Sequence, residues 1–443
     1  MKKQKIFLSV LLLLFFSINS LVAQTLELDI NKAQKIALEN NIQYKLAEEA
    51  LSKAKAQVTE ARGGMLPSLS AFSQYQRSWE LPTVIFDDPF SDGKIEFKMG
   101  TEHSLVYGLS FQQPIFLGGA IWNGYKMAKH GYTITEASLE STRQSVLLQS
   151  TSAYYGLLFS KSVVRVMEQA YETAQENLDQ VNKIRSVGQA SDFDVLRAEV
   201  QLANLKPTLT SAKNNSMLAE SQLSMILGLD NNPKIITLDS LTFAPHDFSR
   251  LTVEDLNSRA LQNRPDIKIM DEQKRIMQRQ VALARSAILP SLVFGTNYQF
   301  QGQRDDLDFT GDDFFKAFNS SISLSVPLFT GFQKTANIQQ AKAGVREAGY
   351  QIDALYQAVN LEIETAYLAI NEKEQSVTTQ SKIIDQAKEA LRLARLRYAE
   401  GLSTQLDLMY AEGALNQARM NYQQSLFDYN IAIAQLKKAL NEL

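Results

Sequence analysis

Arg397-Tyr398-Ala399-Glu400-Gly401-Leu402-Ser403-Thr404-Gln405-Leu406-Asp407-Leu408 is where a very long helical pattern stops, turns and starts again. The same event occurs at Arg185-Ser186-Val187-Gly188-Gln189-Ala190-Ser191-Asp192-Phe193-Asp194-Val195-Leu196. Gly188 and Gly401 are 213 residues apart, as are Asp194 and Asp407. A glycine just past a helical run supplies the left-handed backbone of a C-cap, because it has no Cβ to clash. Ser191 followed by Asp194, and Thr404 followed by Asp407, have the spacing of a capping box, in which each partner satisfies a backbone N–H of the other. Both stretches therefore read as the tips of helical hairpins.

Outward from the tips, the helices are unusually long. Over residues 118–187, Leu157, Val164, Tyr171 and Leu178 recur every seven residues, with Met167, Ala174 and Val181 on the adjacent stripe. Before the second tip the seam is Ile363, Ile370, Val377, Ile384, Leu391 and Tyr398. A sustained seven-residue period predicts a narrow apolar seam and left-handed coiled-coil packing. After the first tip a helix is expected over 192–227, interrupted at Pro207. Asp29 is a candidate N-cap for an earlier helix over 30–61, which ends at Gly63-Gly64 and Pro67.

Between helices lie short segments of period two. Leu105, Tyr107, Leu109 and Phe111 alternate with Ser104, Gly108, Ser110 and Gln112, which predicts a strand with one apolar face and one small, polar face. Its expected partner covers about 68–78. The same order returns later. Leu66-Pro67-Ser68-Leu69 becomes Leu289-Pro290-Ser291-Leu292, and Pro114-Ile115-Phe116 becomes Pro327-Leu328-Phe329. Strands are expected at about 104–113, 291–301 and 319–326. The chain thus divides into a leader at 1–23, a first structural repeat at 24–230, a linker at 231–251 and a second repeat at 252–443. Each repeat is helix, strand, strand, long helix, turn, helix, giving a mainly α fold with a β part.

Composition narrows the function. Lys2, Lys3 and Lys5 precede an apolar run from Ile6 to Val22 that ends at Ala23-Gln24, the order of a secretory signal peptide. Removing it takes away three lysines and no acids, so the net charge moves from −3 to −6. An acidic exported chain is a poor nucleic-acid binder. There are no cysteines and three scattered histidines, so disulfides, thiol catalysis and a histidine metal cluster are not expected. No nucleophile, base and orienter set is recognisable, and no cofactor motif survives inspection; Gly119 to Gly124 has phosphate-loop spacing but Tyr125 stands in place of the lysine. Asp306-Leu307-Asp308-Phe309-Thr310-Gly311 starts like a calcium loop, but Ala317 occupies the closing acid's position.

Strands with one apolar and one polar face, in an exported chain without cysteine, fit an outer-membrane barrel. Four strands are too few to close one, since at least about eight are needed and open edges cannot remain in lipid. Oligomerisation is therefore expected. The helix over 331–399 has 69 residues, about 100 Å at ~1.5 Å per residue, and must project away from the membrane. Phe116, Trp122, Phe329 and Phe332 fall at the strand-to-helix junctions, where they read either as an interfacial aromatic girdle or as packing at a bend. Loops over 79–103 and 301–318, rich in Asp, Gly and Pro, join the opposite strand ends.

The duplicated plan, the leader, Asn263-Arg264-Pro265-Asp266, the paired Leu-Pro-Ser-Leu segments, Gln113-Pro114-Ile115-Phe116 and the two tip motifs together resemble the TolC-like outer-membrane efflux family. That resemblance implies a homotrimer, with a twelve-strand barrel in the outer-membrane lipid and a long periplasmic coiled-coil tunnel. It implies a passive exit duct that docks on an inner-membrane pump through a periplasmic adaptor. The adaptor would dock on the tips around Gly188, Ser191, Gly401 and Ser403. Asp407 would line a ring at the constriction, and Asp194 and Tyr398 match residues that link the two tips of a closed entrance. Tyr410 stands where some members carry a second acid, and Ser403 where an arginine link can occur. Two alternatives remain at this point. Asp194 and Asp407 can serve only as N3 carboxylates on a helix dipole. The whole chain can be a periplasmic coiled-coil scaffold or adaptor that never inserts.

Overall fold

In chain order the elements are β1 (Thr25–Leu28), α1 (Ile30–Asn40), α2 (Ile42–Gly63), β2 (Ser68–Arg77), β3 (Thr83–Asp87), β4 (Lys94–Lys98), β5 (His103–Leu117), α3 (Ala120–Ser186), α4 (Asp192–Ile226), β6 (Lys234–Thr237), α5 (Val253–Asn263), α6 (Pro265–Ser286), β7 (Ser291–Arg304), β8 (Phe314–Ser325), α7 (Gln333–Ala399) and α8 (Gln405–Ala439). This is a computed structural model that describes residues 25–87, 93–230, 233–244, 248 and 251–443. The expected leader at 1–23 lies outside the described residues. The order α1-α2-β2-β5-α3-α4 recurs as α5-α6-β7-β8-α7-α8.

Local chemistry sets most boundaries. Asp29 caps α1 by accepting from Lys32 N at 2.7 Å. The single helix expected over 30–61 is two, broken at Asn41, whose backbone is extended (φ −60°, ψ 128°). Asn41 Oδ1 accepts from Gln43 N at 2.9 Å and starts the second helix, while its Nδ2 donates to Ile226 O. In the second repeat Arg264 takes the same backbone (φ −68°, ψ 129°), as a residue before proline is driven to do. Pro207, expected to interrupt α4, instead lies inside one continuous 35-residue helix. It sits on an exposed side together with Ala203, so the carbonyl that loses its partner there can turn to water.

The chain forms two compact units. One comprises 50–137 and 268–353 and holds an antiparallel sheet of order β2-β5-β7-β8. Residues directly opposite share a face. Leu69, Phe111 and Thr296 therefore align with Leu109, Tyr298 and Phe318 and with Tyr107 and Phe300 on one side, and Ser70, Ser110 and Asn297 on the other. The exceptions on the polar side are chiefly Phe72 and Phe315. Gly108 is required where β5 crosses β7, because a Cβ there would lie 2.3 Å from Tyr298 O. A register shift between Pro114 and Phe116 turns the end of β5, which runs to Leu117, four residues past its expected end at about 113. Within the loop expected over 79–103, Thr83–Asp87 and Lys94–Lys98 pair as a separate antiparallel ribbon.

The other unit comprises 25–49, 138–267 and 354–443 among the described residues. Its core joins Leu28, Tyr154, Leu157, Leu223, Ile235, Leu256, Ile363, Ile370, Tyr429 and Leu436, all at most 2% exposed. The second heptad seam is buried at Ile363, Ile370, Val377 and Leu391. In α3 the buried stripe is the adjacent one, with Ala174 and Val181, while Val164, Tyr171 and Leu178 stay half-buried. Part of the segment read as a linker is structured: β6 pairs parallel with β1, Thr25 opposite Lys234. Tyr154 Oη fastens this pair, donating toward Leu28 O at 3.0 Å and Asp239 Oδ2 at 2.8 Å.

Candidate functional site

At the first tip α3 ends in a Schellman turn. Gly188 N donates to Arg185 O at 2.8 Å and Gln189 N to Ile184 O at 3.1 Å, with Gly188 at φ +76°. Three residues later α4 opens on a reciprocal cap. Asp194 N donates to Ser191 Oγ at 3.2 Å, and Ser191 N donates to Asp194 Oδ2 at 3.1 Å. Hydrogen bonds from the Ser191 hydroxyl and backbone N–H hold the Asp194 carboxyl below the usual carboxylate range. Arg185 Nε lies 2.7 Å from Asp192 Oδ1 and ties the two helix ends across the turn.

The second tip repeats the geometry. Gly401 (φ +71°) donates to Tyr398 O at 3.0 Å and Leu402 N to Arg397 O at 2.8 Å. Thr404 N donates to Asp407 Oδ2 at 2.9 Å and Asp407 N to Thr404 Oγ1 at 3.3 Å. The backbone N–H and hydroxyl of Thr404, with Arg397 nearby, hold the Asp407 carboxyl low. Asp407 is thus ionised, solvent-facing and fixed in direction. Tyr410, three residues on, is exposed.

Asp194 and Tyr398 come within electrostatic reach. Burial first, then the Asp194 charge, push the Tyr398 phenol upward. Among the described residues no hydrogen bond joins the two side chains; the Asp194 carboxylate is engaged by Ser191, and Tyr398 packs on Leu391, Leu408 and Leu415.

Sequence reading missed the polar interior of this tip. Gln405, the first residue of α8, is only 3% exposed, and both atoms of its amide lack a partner, as does Ser403 Oγ beside it. Glu412 is 8% exposed, 3.7 Å from Arg395, and burial pushes its carboxyl upward against that arginine's pull. Glu412 lines a cavity of about 190 Å³ with Asn177, Gln180, Arg395 and Tyr398. A sequence signal for it existed: Leu408, Glu412 and Leu415 share one helical stripe at i, i+4, i+7, an acid in a core position.

The four expected interfacial aromatics lie in the sheet-bearing unit, and all are exposed. Phe116 follows the β5 irregularity. Trp122 packs on Tyr125 with Lys126 Nζ 4.8 Å over its ring. Phe329 and Phe332 meet edge to face at 5.7 Å. Phe332 has φ +64°, and Gly119, its counterpart in the first repeat, has φ +85°.

A family model described as outer membrane efflux protein matches residues 34–229 and 256–442. The outer membrane protein TolC of Vibrio cholerae is 23% identical over 412 residues, covering 92% of this chain and 89% of its own. The alkaline protease secretion protein AprF of Pseudomonas aeruginosa is 21% identical, covering 91% of this chain and 82% of its own. Among solved structures, the Campylobacter jejuni CmeC outer membrane channel superposes with a TM-score of 0.77 at 22% identity, covering 93% of this chain and 85% of that one. The matched segments take in both tips, all four strands of the main sheet and the long helices between them. The chain belongs to the outer membrane efflux protein family.

Proposed function

We propose that three copies of this chain close into a twelve-strand outer-membrane barrel continued by a helical periplasmic tunnel, forming the passive exit duct of a tripartite efflux or type I secretion system. One observation carries this reading. The four-stranded sheet has two open edges, β2 and β8, that run in opposite directions. Antiparallel pairing of β2 in one copy with β8 in the next satisfies both edges, which lipid would otherwise leave unbonded. The half-buried stripe Val164, Tyr171 and Leu178 offers a second apolar surface to a neighbouring copy. Three copies is the number that the family resemblance implies. The family description supplies efflux, and the name of AprF supplies secretion.

In this reading the chain is two repeats, 24–230 and 252–443, joined by 231–251. The tips at Gly188, Ser191, Gly401 and Ser403 dock a periplasmic adaptor that bridges to an inner-membrane pump. Asp407 and Tyr410 of the three copies ring the entrance, and Asp194 with Tyr398 steadies its closed form. Phe116, Trp122, Phe329 and Phe332 meet the membrane interface. The duct does no chemistry on its cargo. Planar-bilayer recording of the purified protein tests the reading: discrete, cation-selective conductance steps are expected. Release of the protein from membranes by carbonate, as for a soluble periplasmic scaffold, overturns it.

A further inference from the structure

The ribbon of β3 and β4 pairs from Thr83 opposite Lys98 to Asp87 opposite Lys94. Opposed residues share a face and successive ones alternate, so Val84, Phe86, Ile95 and Phe97 make up one face. That face is entirely apolar. Phe86, Ile95 and Phe97 are 56%, 49% and 60% exposed, whereas the other face mixes Lys94, Lys98, Asp87 and Glu96 with Thr83 and a single large apolar residue, Ile85. A lone two-stranded ribbon is marginal in water, and an uncovered apolar face on it invites association.

Topology indicates what covers it. Arg77 pairs with His103, His103 with Arg304, and Gly302 with Phe314. The end of β2 from which the ribbon emerges and the start of β8 therefore lie at the same end of the sheet. When β2 of one copy pairs antiparallel with β8 of the next, the ribbon emerges beside the β7–β8 end of that second copy. There Leu307 and Phe315 are exposed within their own chain, whereas Phe318 is on the opposite face of β8. The turn between β7 and β8 carries Asp305, Asp306, Asp308, Asp312 and Asp313, of which Asp306 and Asp313 are held by Arg304 of their own chain. The second repeat has only a short 3₁₀ turn, Gly311–Asp313, at the corresponding place, so each junction between copies would receive one ribbon.

We propose that the apolar face of the β3–β4 ribbon docks on the β7–β8 end, around Leu307 and Phe315, of a second copy of this chain and straps the seam of the barrel. The proposal rests on closure of the barrel between copies, and the test separates the two. The chain has no cysteine, so Phe86→Cys with Leu307→Cys introduces the only thiols. Treating the full-length double variant in detergent with a short bis-maleimide is expected to give covalent dimers and trimers on a denaturing gel, and each single variant only monomers. Phe86→Lys with Phe97→Lys is expected to lower the midpoint of heat dissociation of the oligomer by roughly 5 °C or more. Monomers alone from the double cysteine variant, with an intact oligomer in detergent, overturn the strap and leave the ribbon face to lipid or a surface ligand. A monomeric wild-type protein in detergent instead overturns barrel closure, and the strap with it.

Discussion

Thr404 and Asp407 hold each other at the second tip: Thr404 N and Oγ1 both donate to Asp407 Oδ2, at 2.9 and 2.8 Å, and Asp407 N donates back to Thr404 Oγ1 at 3.3 Å. The carboxylate therefore has a structural duty besides any role in the entrance, and two variants separate them. Asparagine keeps an oxygen for Thr404 N but removes the charge. Asp407→Asn is expected to lower cation selectivity in bilayer recordings with little change in hydrogen exchange at the start of α8. Thr404→Ala removes the hydroxyl cap, costing about 1 kcal/mol, and is expected to speed that exchange roughly fivefold. Unchanged selectivity in Asp407→Asn removes this residue from the entrance lining. Because the folded Asp407 carboxyl is held below its ordinary 3.8, its stabilisation is present above that pH and fades as pH falls through the folded value.

Glu412 behaves oppositely. Burial raises its carboxyl above the ordinary 4.5 despite Arg395 at 3.7 Å. Its favourable contribution is complete below pH 4.5 and is lost as pH rises through the folded value, because ionising it in the tip core then opposes folding. Glu412→Gln is expected to match wild type in tip stability below about pH 4.5 and to exceed it at neutral pH. Hydrogen exchange of the first turns of α8, measured across that range, reads the difference. A variant less stable at pH 7 would mean that the pairing with Arg395 outweighs desolvation.

The tips were legible because their signals are local: a left-handed glycine and a Ser or Thr three residues before an acid need no distant partner. The main strands were legible through their period of two. The ribbon escaped because its five-residue strands, Thr83–Asp87 after Pro82 and Lys94–Lys98 after Gly93, are outweighed by turn residues, although Lys94–Lys98 does alternate. β6 escaped for a different reason, since its partner β1 lies about 200 residues away and pairing at that range leaves no mark in a local window. Pro207 misled because a proline in a helix is costly in general, whereas here the affected side is open to water. Glu412 drew no attention because a single acid leaves no pattern of its own, though its stripe is apolar on both sides.

Tyr154 offers a test of the pairing that local patterns concealed. Its side chain is fully buried. Its hydroxyl reaches Leu28 O and Asp239 Oδ2, and Asp239 Oδ2 also accepts from Ile30 N at 3.1 Å. One oxygen thus ties β1, the residues after β6 and the start of α1 to the long helix α3. Tyr154→Phe keeps the ring and leaves those acceptors short of a donor, for an expected loss of roughly 1–3 kcal/mol. Denaturant unfolding of wild type and variant at matched oligomer concentration measures it. A loss confined to amides of β1 and β6 would show that the pair unfolds as its own unit.

Phe332 is the one described non-glycine residue besides Asn441 with positive φ. The first repeat shows what the backbone alone requires, since Gly119 takes the left-handed conformation there without strain. A phenylalanine at the second position costs about 1–2 kcal/mol of backbone strain, yet the residue is 75% exposed and its ring meets the equally exposed Phe329 edge to face. The strain is offset if the ring enters the membrane interface. Phe332→Gly is accordingly expected to leave helix content unchanged while reducing insertion into phospholipid vesicles several-fold. The reverse change, Gly119→Phe, has room, since a Cβ there meets nothing nearer than Asn123 Nδ2 at 3.7 Å. It is expected to fold with a penalty of about 1–2 kcal/mol and to insert at least as well as wild type. Equal insertion of Phe332→Gly and wild type would show that the ring serves packing at the strand-to-helix bend instead.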